Sequence, residues 1–204
     1  MKKVFVLSVS VLFPFILWGQ IKVTSEEVEN QDLSDYFSFE RIEYQKLIFT
    51  SKELKDKTFR LSVKEIWDGE VTKDSTVIDS KNVLGNRPGY DYLKIIGDTI
   101  FTMRVISKLT EDCKLKMQFS FPLFGTTQSF DAISSIDYSL RKAVETKTVE
   151  FGKKFYVLVY MLPYEKDGMK HWCAVEASGK EIETWGKEFG IKHYLVFEMI
   201  FENL

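Results

Sequence analysis

The chain has 204 residues, with 28 lysines and arginines against 30 aspartates and glutamates, so its formal charge at pH 7 is −2. This near balance excludes a general nucleic-acid binder, which would carry a basic face. Apolar residues make up 45% of the sequence, which is enough for a packed core and excludes a disordered chain. The composition therefore predicts an ordinary globular protein with no nucleic-acid partner.

The first twenty residues have the three-part pattern of a secretory signal peptide. Lys2 and Lys3 give a positive start, an apolar run extends from residue 4 to residue 18, and Gly19 offers a small residue to signal peptidase. The run is short for a membrane span, which needs about 20 residues. Because the pattern resembles bacterial Sec leaders, residues 1–20 predict export to the periplasm or the medium. The alternative is an uncleaved leader that tethers the domain, and this would be its membrane contact.

Removal of residues 1–20 takes away two lysines and no acid, which leaves a mature chain with a formal charge of about −4. Residues 21–40 form an acidic segment, with six acids and no lysine or arginine between residues 23 and 40. Such a run is usually solvated, and the alternative is a docking surface for a cation or a partner. Ser25, followed by two glutamates, is a candidate helix start. Residues 41–204 are predicted to form a single β-rich globular domain.

Beyond the acidic segment, most of the chain has the pattern of β-strands. Apolar and polar residues alternate from residue 59 to residue 64, and Asp68-Gly69 then precedes a β-branched run, which predicts a hairpin. The clearest alternation extends from Cys113 to Phe121. Further strands are predicted at residues 99–106, 155–162, 170–176 and 191–201. The last of these is apolar on nearly both faces, so it is predicted to be central in its sheet.

Two stretches have the pattern of helices. Five apolar residues recur every three or four positions from Phe130 to Val144, and Ser129 precedes them as a candidate N-cap. A shorter stretch ends at Gly190, a residue type that commonly follows a helix. The fold class predicted is α+β, a mainly antiparallel β-sheet built from hairpins, with one longer helix (about 129–145) and one short helix (about 180–189).

The chain contains two cysteines, Cys113 and Cys173, and exported chains meet an oxidising environment in which disulfides form. They are a candidate disulfide, which would close a loop of about 60 residues and stabilise the fold by about 4 kcal/mol. The alternative is two separately buried thiols. His171 precedes Cys173 by two residues, so a thiolate–imidazole pair is a third possibility, which a disulfide would exclude.

The sequence assigns no catalytic residue, no cofactor and no metal site. His171 and His193 are the only histidines, and neither belongs to a zinc-binding spacing. Calcium loops, phosphate-binding glycine loops and dinucleotide fingerprints are also lacking in the sequence. A hydrolytic site made of carboxylates that come together only in the folded chain stays possible.

A few aromatic residues lie in predicted loops, where they could bind a ligand. Arg87, Tyr90 and Tyr92 lie in or beside the loop at residues 85–91, and Trp67 lies next to the Asp68-Gly69 turn. Aromatic faces with polar neighbours on loops suit sugar or peptide recognition. The alternative is that these side chains cover an edge of the core.

These observations predict an exported bacterial envelope protein, a non-enzymatic binding or interaction module whose partner is an unknown protein or glycan of the envelope. Two alternatives stay open. One is an envelope hydrolase with a site assembled only in space. The other is an inhibitor or immunity-type protein that docks a basic partner through its acidic segment.

Overall fold

A computed structural model describes residues 19–84, 98–143, 148–172 and 181–203. The strands in these ranges are β1 (Gln20–Glu26), β2 (Glu43–Thr50), β3 (Thr58–Trp67), β4 (Glu70–Asp79), β5 (Ile100–Leu109), β6 (Lys114–Ser120), β7 (Gly125–Asp131), β8 (Ser139–Lys142), β9 (Thr148–Glu150), β10 (Phe155–Met161), β11 (Tyr164–Lys166), β12 (Met169–His171) and β13 (His193–Glu202). The α-helices are α1 (Gln31–Phe39), α2 (Ser80–Leu84) and α3 (Trp185–Phe189), and single 3-10 turns lie at Lys52–Leu54 and Ile182–Thr184. Among the described residues, none of the helices has the length and apolar character of a membrane span.

The strands form two large antiparallel sheets and one small hairpin. The six-stranded sheet has the order β7-β6-β5-β2-β1-β9, and the five-stranded sheet has the order β4-β3-β13-β10-β8. β11 and β12 pair with each other as a two-stranded hairpin. The predicted fold class, α+β with a mainly antiparallel sheet built from hairpins, is confirmed.

The two large sheets pack face to face, and aromatic side chains fill the space between them. Phe119 of β6 lies 5.3 Å from Phe197 of β13, and Phe49 of β2 lies 5.2 Å from Phe201, between ring centroids. All four side chains are fully buried. β13 is central, as its apolar sequence predicted, because its second face is also covered. On that face the Tyr194 hydroxyl accepts a hydrogen bond from the Gly186 N–H at 3.0 Å, which fixes α3.

Three turns form hairpin connections, and the one predicted at Asp68-Gly69 is confirmed. β3 joins β4 through Asp68-Gly69, and β11 joins β12 through Asp167-Gly168, all four residues having positive φ. β5 joins β6 through residues 110–113. The predicted short helix is also present, as the 3-10 turn at Ile182–Thr184 followed by α3, which ends at Gly190.

The longer helix predicted at 129–145 is wrong in position. Residues 125–131 form β7 and residues 139–142 form β8, and the longest helix of the described residues is α1. The apolar residues that suggested one helix face belong to different elements. Phe130 and Leu140 are buried in two strands, whereas Ile136 in the intervening loop is 71% exposed. A spacing of three and four arose by coincidence across two strands and a loop.

The acidic segment contributes regular structure to the fold. β1 lies inside the six-stranded sheet, between β2 and β9, and buries Ile21 and Val23. The helix begins at Gln31 and not near Ser25, because the Asn30 side chain accepts a hydrogen bond from the Leu33 N–H at 2.9 Å. The sheet therefore includes residues before the boundary predicted at residue 40.

The β3–β4 turn packs closely against α3 at two glycines. A methyl group added at Gly186 would lie 2.5 Å from the Cα of Gly69, which real contacts do not tolerate. Gly69 itself has a φ of 80°, which favours glycine. The close approach of these two glycines fixes the position of α3 on the outer face of the five-stranded sheet.

We expect Gly186→Ala to lower the free energy of unfolding by about 2 to 3 kcal/mol, because the methyl group overpacks the contact with Gly69. Gly168→Ala is the matched control, since Gly168 has a φ of 74° but no neighbour within 4 Å of the added methyl group. The control should cost about 1 kcal/mol, for its positive φ alone. Urea unfolding measures both values. Equal losses for the two variants would contradict the packing argument.

Candidate functional site

The structure accounts for one of the four predicted binding residues. Arg87, Tyr90 and Tyr92 lie outside the described residues. Trp67 is the last residue of β3, its ring lies 4.1 Å from the His193 ring, and its Nε1 donates a hydrogen bond to Glu65 at 2.7 Å. Trp67 therefore covers a buried histidine, and a role in ligand binding stays a prediction.

The two cysteines are not seen as a disulfide. Cys113 has a free thiol and lies in the β5–β6 turn with a φ of 55°, one residue before β6 and not inside the strand. Cys173 lies outside the described residues, so the Cys113–Cys173 bridge stays a prediction. The same holds for the pairing of Cys173 with His171. The His171 ring stacks on Tyr164, with 5.5 Å between centroids.

One end of the core between the sheets is polar, and His193 lies at its centre. His193 is fully buried, and its Nδ1 lies 2.5 Å from the Tyr138 hydroxyl. That hydroxyl also accepts a hydrogen bond from the Ile133 N–H at 3.1 Å. The Nε2 of His193 has no hydrogen-bond partner among the described residues, and the Glu65 Oε1 lies 3.9 Å from it.

Burial lowers the pKa of His193 from its ordinary value of 6.5 to about 4, and the charge of Asp131 opposes this shift only in part. The ring is therefore neutral at pH 7. Since Trp67 and Tyr138 lie against it and no part of it is exposed, His193 does not contact a dissolved substrate. In the described part of the chain, no three His, Cys, Asp or Glu side chains gather as metal ligands.

A cavity of about 430 Å³ opens between the sheets at this polar end, and we call it the inter-sheet cavity. It is lined by the end of α1, the start of β2, the loop before β8 and single residues of β5 and β10. Its polar lining includes Glu43 and the hydroxyl-bearing side chains of Tyr138 and Tyr160. Burial is the main cause that raises the pKa of Glu43, while the Leu140 N–H and the charge of Arg141 lower it.

A second concavity, of about 590 Å³, lies between α1 and the outer face of the six-stranded sheet. Leu33 and Phe37 of α1 form one wall, and Glu26, which pairs with Lys46, belongs to its acidic rim. Arg104 and neighbouring polar residues of β5 and β6 form the floor. We call this concavity the helix groove.

The helix α1 is exposed on most of its circumference and buries no residue. Leu33, Tyr36 and Phe39 are 43%, 54% and 83% exposed. Phe37 faces the sheet, with its ring centroid 5.8 Å from that of Tyr44. The helix thus keeps one aromatic contact with the sheet and presents three large apolar side chains to solvent.

No protein-family model, curated protein or solved structure matches this chain. The described side chains therefore carry the functional argument by themselves.

Sequence patterns did not identify the residues of the inter-sheet cavity. Glu43, Tyr138 and Tyr160 come from three distant segments that only the sheet packing brings together. The sequence does contain a signal for the polar end of the core. Glu65 lies in phase with the buried residues of β3, and His193 begins the most apolar strand. The strand pattern therefore directs both polar side chains toward the core.

The buried histidine predicts a pH dependence of stability. Because the pKa of His193 is about 4 when folded and near 6.5 when unfolded, the unfolded chain takes up a proton in this interval that the folded chain does not. This proton should lower the free energy of unfolding by about 3 kcal/mol as the pH falls from 6.5 to 4. Above pH 6.5 the group contributes no pH dependence. Urea unfolding at several pH values measures the slope.

His193→Asn keeps a hydrogen-bonding side chain beside Tyr138 and removes the titration, so this part of the slope should disappear even though the variant is less stable at pH 7. His171→Asn is the matched control and should retain the parent slope. Glu65 and Asp131, which face His193 from β3 and β7, are unchanged in both variants. Equal slopes for His193→Asn and the parent would contradict the assignment.

Proposed function

We propose that the protein is an exported, non-enzymatic interaction module that binds a basic protein partner through α1. The binding surface, which we call the α1 surface, comprises the three exposed apolar residues of the helix and the acids around them: Leu33, Tyr36, Phe39, Glu27, Glu29, Asp32 and Asp35. The exposure of large apolar side chains on a helix that buries nothing is the observation that carries the proposal.

The apolar part of the surface supports a protein partner. Single exposed apolar residues are common on proteins, but three on one nine-residue helix form a concentration that marks interaction sites. Phe39 is 83% exposed, which leaves most of its ring in water. Burying such a side chain against a partner contributes about 1.5 to 3 kcal/mol, and aromatic residues are enriched at the centres of interfaces.

The charge around the helix supports a basic partner. Two acids of the segment are already neutralised, since Glu26 pairs with Lys46 and Glu40 lies 3.6 Å from Lys108. Within the described ranges, the other four acids form no ion pair with a base. An uncompensated acidic rim around apolar residues steers a partner of opposite charge and disfavours acidic competitors.

An inhibitor or immunity-type protein would be one member of this functional class, because its acidic surface would cover a basic site on an enzyme. A hydrolase gains less support from the described residues. His193 is inaccessible, and His171 lines neither the inter-sheet cavity nor the helix groove.

Site-specific photo-crosslinking tests the α1 surface in the native host. A benzophenone side chain in place of Phe39 should give one discrete adduct with an envelope protein of basic surface. Asp32→Lys combined with Asp35→Lys should reduce the adduct yield at least fivefold, because like charges then face the partner.

The matched control is Glu111→Lys combined with Glu165→Lys, which changes the net charge equally at two exposed positions far from α1 in the sequence. This control should leave the yield unchanged. An adduct that persists equally in both double variants, or that joins two copies of this chain, would contradict the proposed surface.

Export through residues 1–20 predicts a defined mature N-terminus. We expect N-terminal sequencing of the exported protein to begin at Gln20 or Ile21, which keeps nearly all of β1. Val11→Asp, which places a charge in the apolar run, should abolish export. Val28→Asp, the same change beyond the leader, should not. Export of Val11→Asp at the parent level would contradict the assignment of the leader.

A further inference from the structure

We propose that the inter-sheet cavity binds a small organic cation, an ammonium group carried on an apolar or aromatic body. The cavity lies between the two sheets beside the C-terminal end of α1, and none of the residues of the α1 surface lines it. The proposal does not depend on the proposed protein partner.

Glu43 supplies the charge that would hold the ammonium group. Its carboxyl is half-buried at the start of β2 and lines the cavity. Among the described residues it forms no ion pair, although the Leu140 N–H and the charge of Arg141 both lower its pKa. A partly desolvated carboxylate without a paired base has unused acceptor capacity, which a cationic ligand can fill.

The walls of the cavity suit an apolar body. Ile42, Leu109 and Ile136 contribute aliphatic surface, and Phe37 contributes an aromatic ring. At the inner end, the rings of Tyr138 and Tyr160 lie 5.7 Å apart in an edge-to-face arrangement. Aromatic faces attract cations, by about 2 kcal/mol or more where water is excluded, so these rings and the Glu43 carboxylate act on the same kind of ligand. A volume of about 430 Å³ is within the usual range of ligand sites.

The rim of the cavity is held in place by hydrogen bonds, so the site is preformed. Asp137 accepts from the Lys170 Nζ at 2.6 Å through its side chain and from the Trp172 Nε1 at 3.1 Å through its backbone carbonyl. The Tyr138 hydroxyl accepts from the Ile133 N–H. These contacts fix both ends of the loop that carries Ile136. A preformed cavity loses little entropy when a ligand binds.

Arg41 is the positive side chain among the residues that line the cavity, and the charge of Arg141 also reaches the Glu43 carboxylate. Arg41 is exposed at the rim, where water and salt screen its charge. Glu43 is half-buried, so its charge acts in a medium of lower dielectric constant. The carboxylate therefore dominates inside the cavity, and a cation is preferred over an anion.

Three probes of one shape test the proposal: phenethylamine, 2-phenylethanol and 3-phenylpropionate, which are cationic, neutral and anionic. Binding to the purified protein is measured by chemical-shift changes of backbone amides in NMR titrations. We expect the amine to bind at least tenfold more tightly than the alcohol, and the acid to bind most weakly. The largest shifts should fall on residues 41–43 and 135–138. Equal affinities for amine and alcohol would overturn the proposal.

Variants separate the charge from the shape of the site. Glu43→Gln preserves the side-chain volume and should remove the preference for the amine while the alcohol still binds, which shows that the cavity is intact. Glu111→Gln, an exposed glutamate in the β5–β6 turn, is the matched control and should retain the preference. An amine preference that survives in Glu43→Gln, or shifts confined to the helix groove, would overturn the assignment.

The test is independent of the partner experiment. Asp32→Lys combined with Asp35→Lys should leave phenethylamine binding unchanged, because neither residue lines the cavity. A loss of crosslinking with retained amine binding would separate the two sites. Loss of amine binding in this variant would show that the acids of α1, and not Glu43, attract the cation, which contradicts the proposal.

Discussion

The structure depends on the face-to-face packing of two antiparallel sheets, with β13 at the centre of one of them. Each fully buried phenylalanine between the sheets contributes about 1.5 to 3 kcal/mol, so rings such as Phe49, Phe119 and Phe197 supply much of the driving force for folding. The same packing fixes the positions of the helices. α3 is tied to the outer face of β13 through Tyr194, whereas α1 contacts its sheet through the Phe37 ring, which lies against Tyr44. A firmly packed sandwich leaves α1 free to expose residues for other contacts.

The space between the sheets is apolar along most of its length and polar at one end. The buried histidine and the inter-sheet cavity both lie at this polar end. A buried polar atom without a partner, such as the Nε2 of His193, costs about 1 to 3 kcal/mol. That cost is comparable to the gain from one buried ring, so the apolar end of the sandwich offsets it. Tyr138 connects the two parts of the polar end, because its hydroxyl contacts His193 and its side chain lines the inter-sheet cavity. A change in the charge of His193 would therefore act at the inner wall of the cavity.

Local patterns predicted the strands well, because period-2 alternation reports directly on which face is buried. Leu115, Met117 and Phe119 illustrate this, since all three are buried as their alternation predicted, and the turn at Asp68-Gly69 was predicted from its own residues. The helix predicted at 129–145 failed for the opposite reason. Apolar spacing alone does not distinguish a helix face from two short strands joined by a loop, and the serines and threonines of residues 126–139 are weak helix formers. The cavity could not be predicted from local sequence patterns, because Glu43 and Tyr160 are brought together only by the packing of the two sheets.

The two proposed sites differ in what the fold supplies to each. The α1 surface lies on a helix held by few contacts, so it suits a macromolecular partner whose own surface completes the packing. The inter-sheet cavity is bounded by two sheets and a hydrogen-bonded loop, so its shape is already set before any ligand arrives. Phe37 lines both the inter-sheet cavity and the helix groove beneath α1. The cavity and the helix groove therefore meet at Phe37, whereas the residues of the α1 surface lie outside the cavity lining.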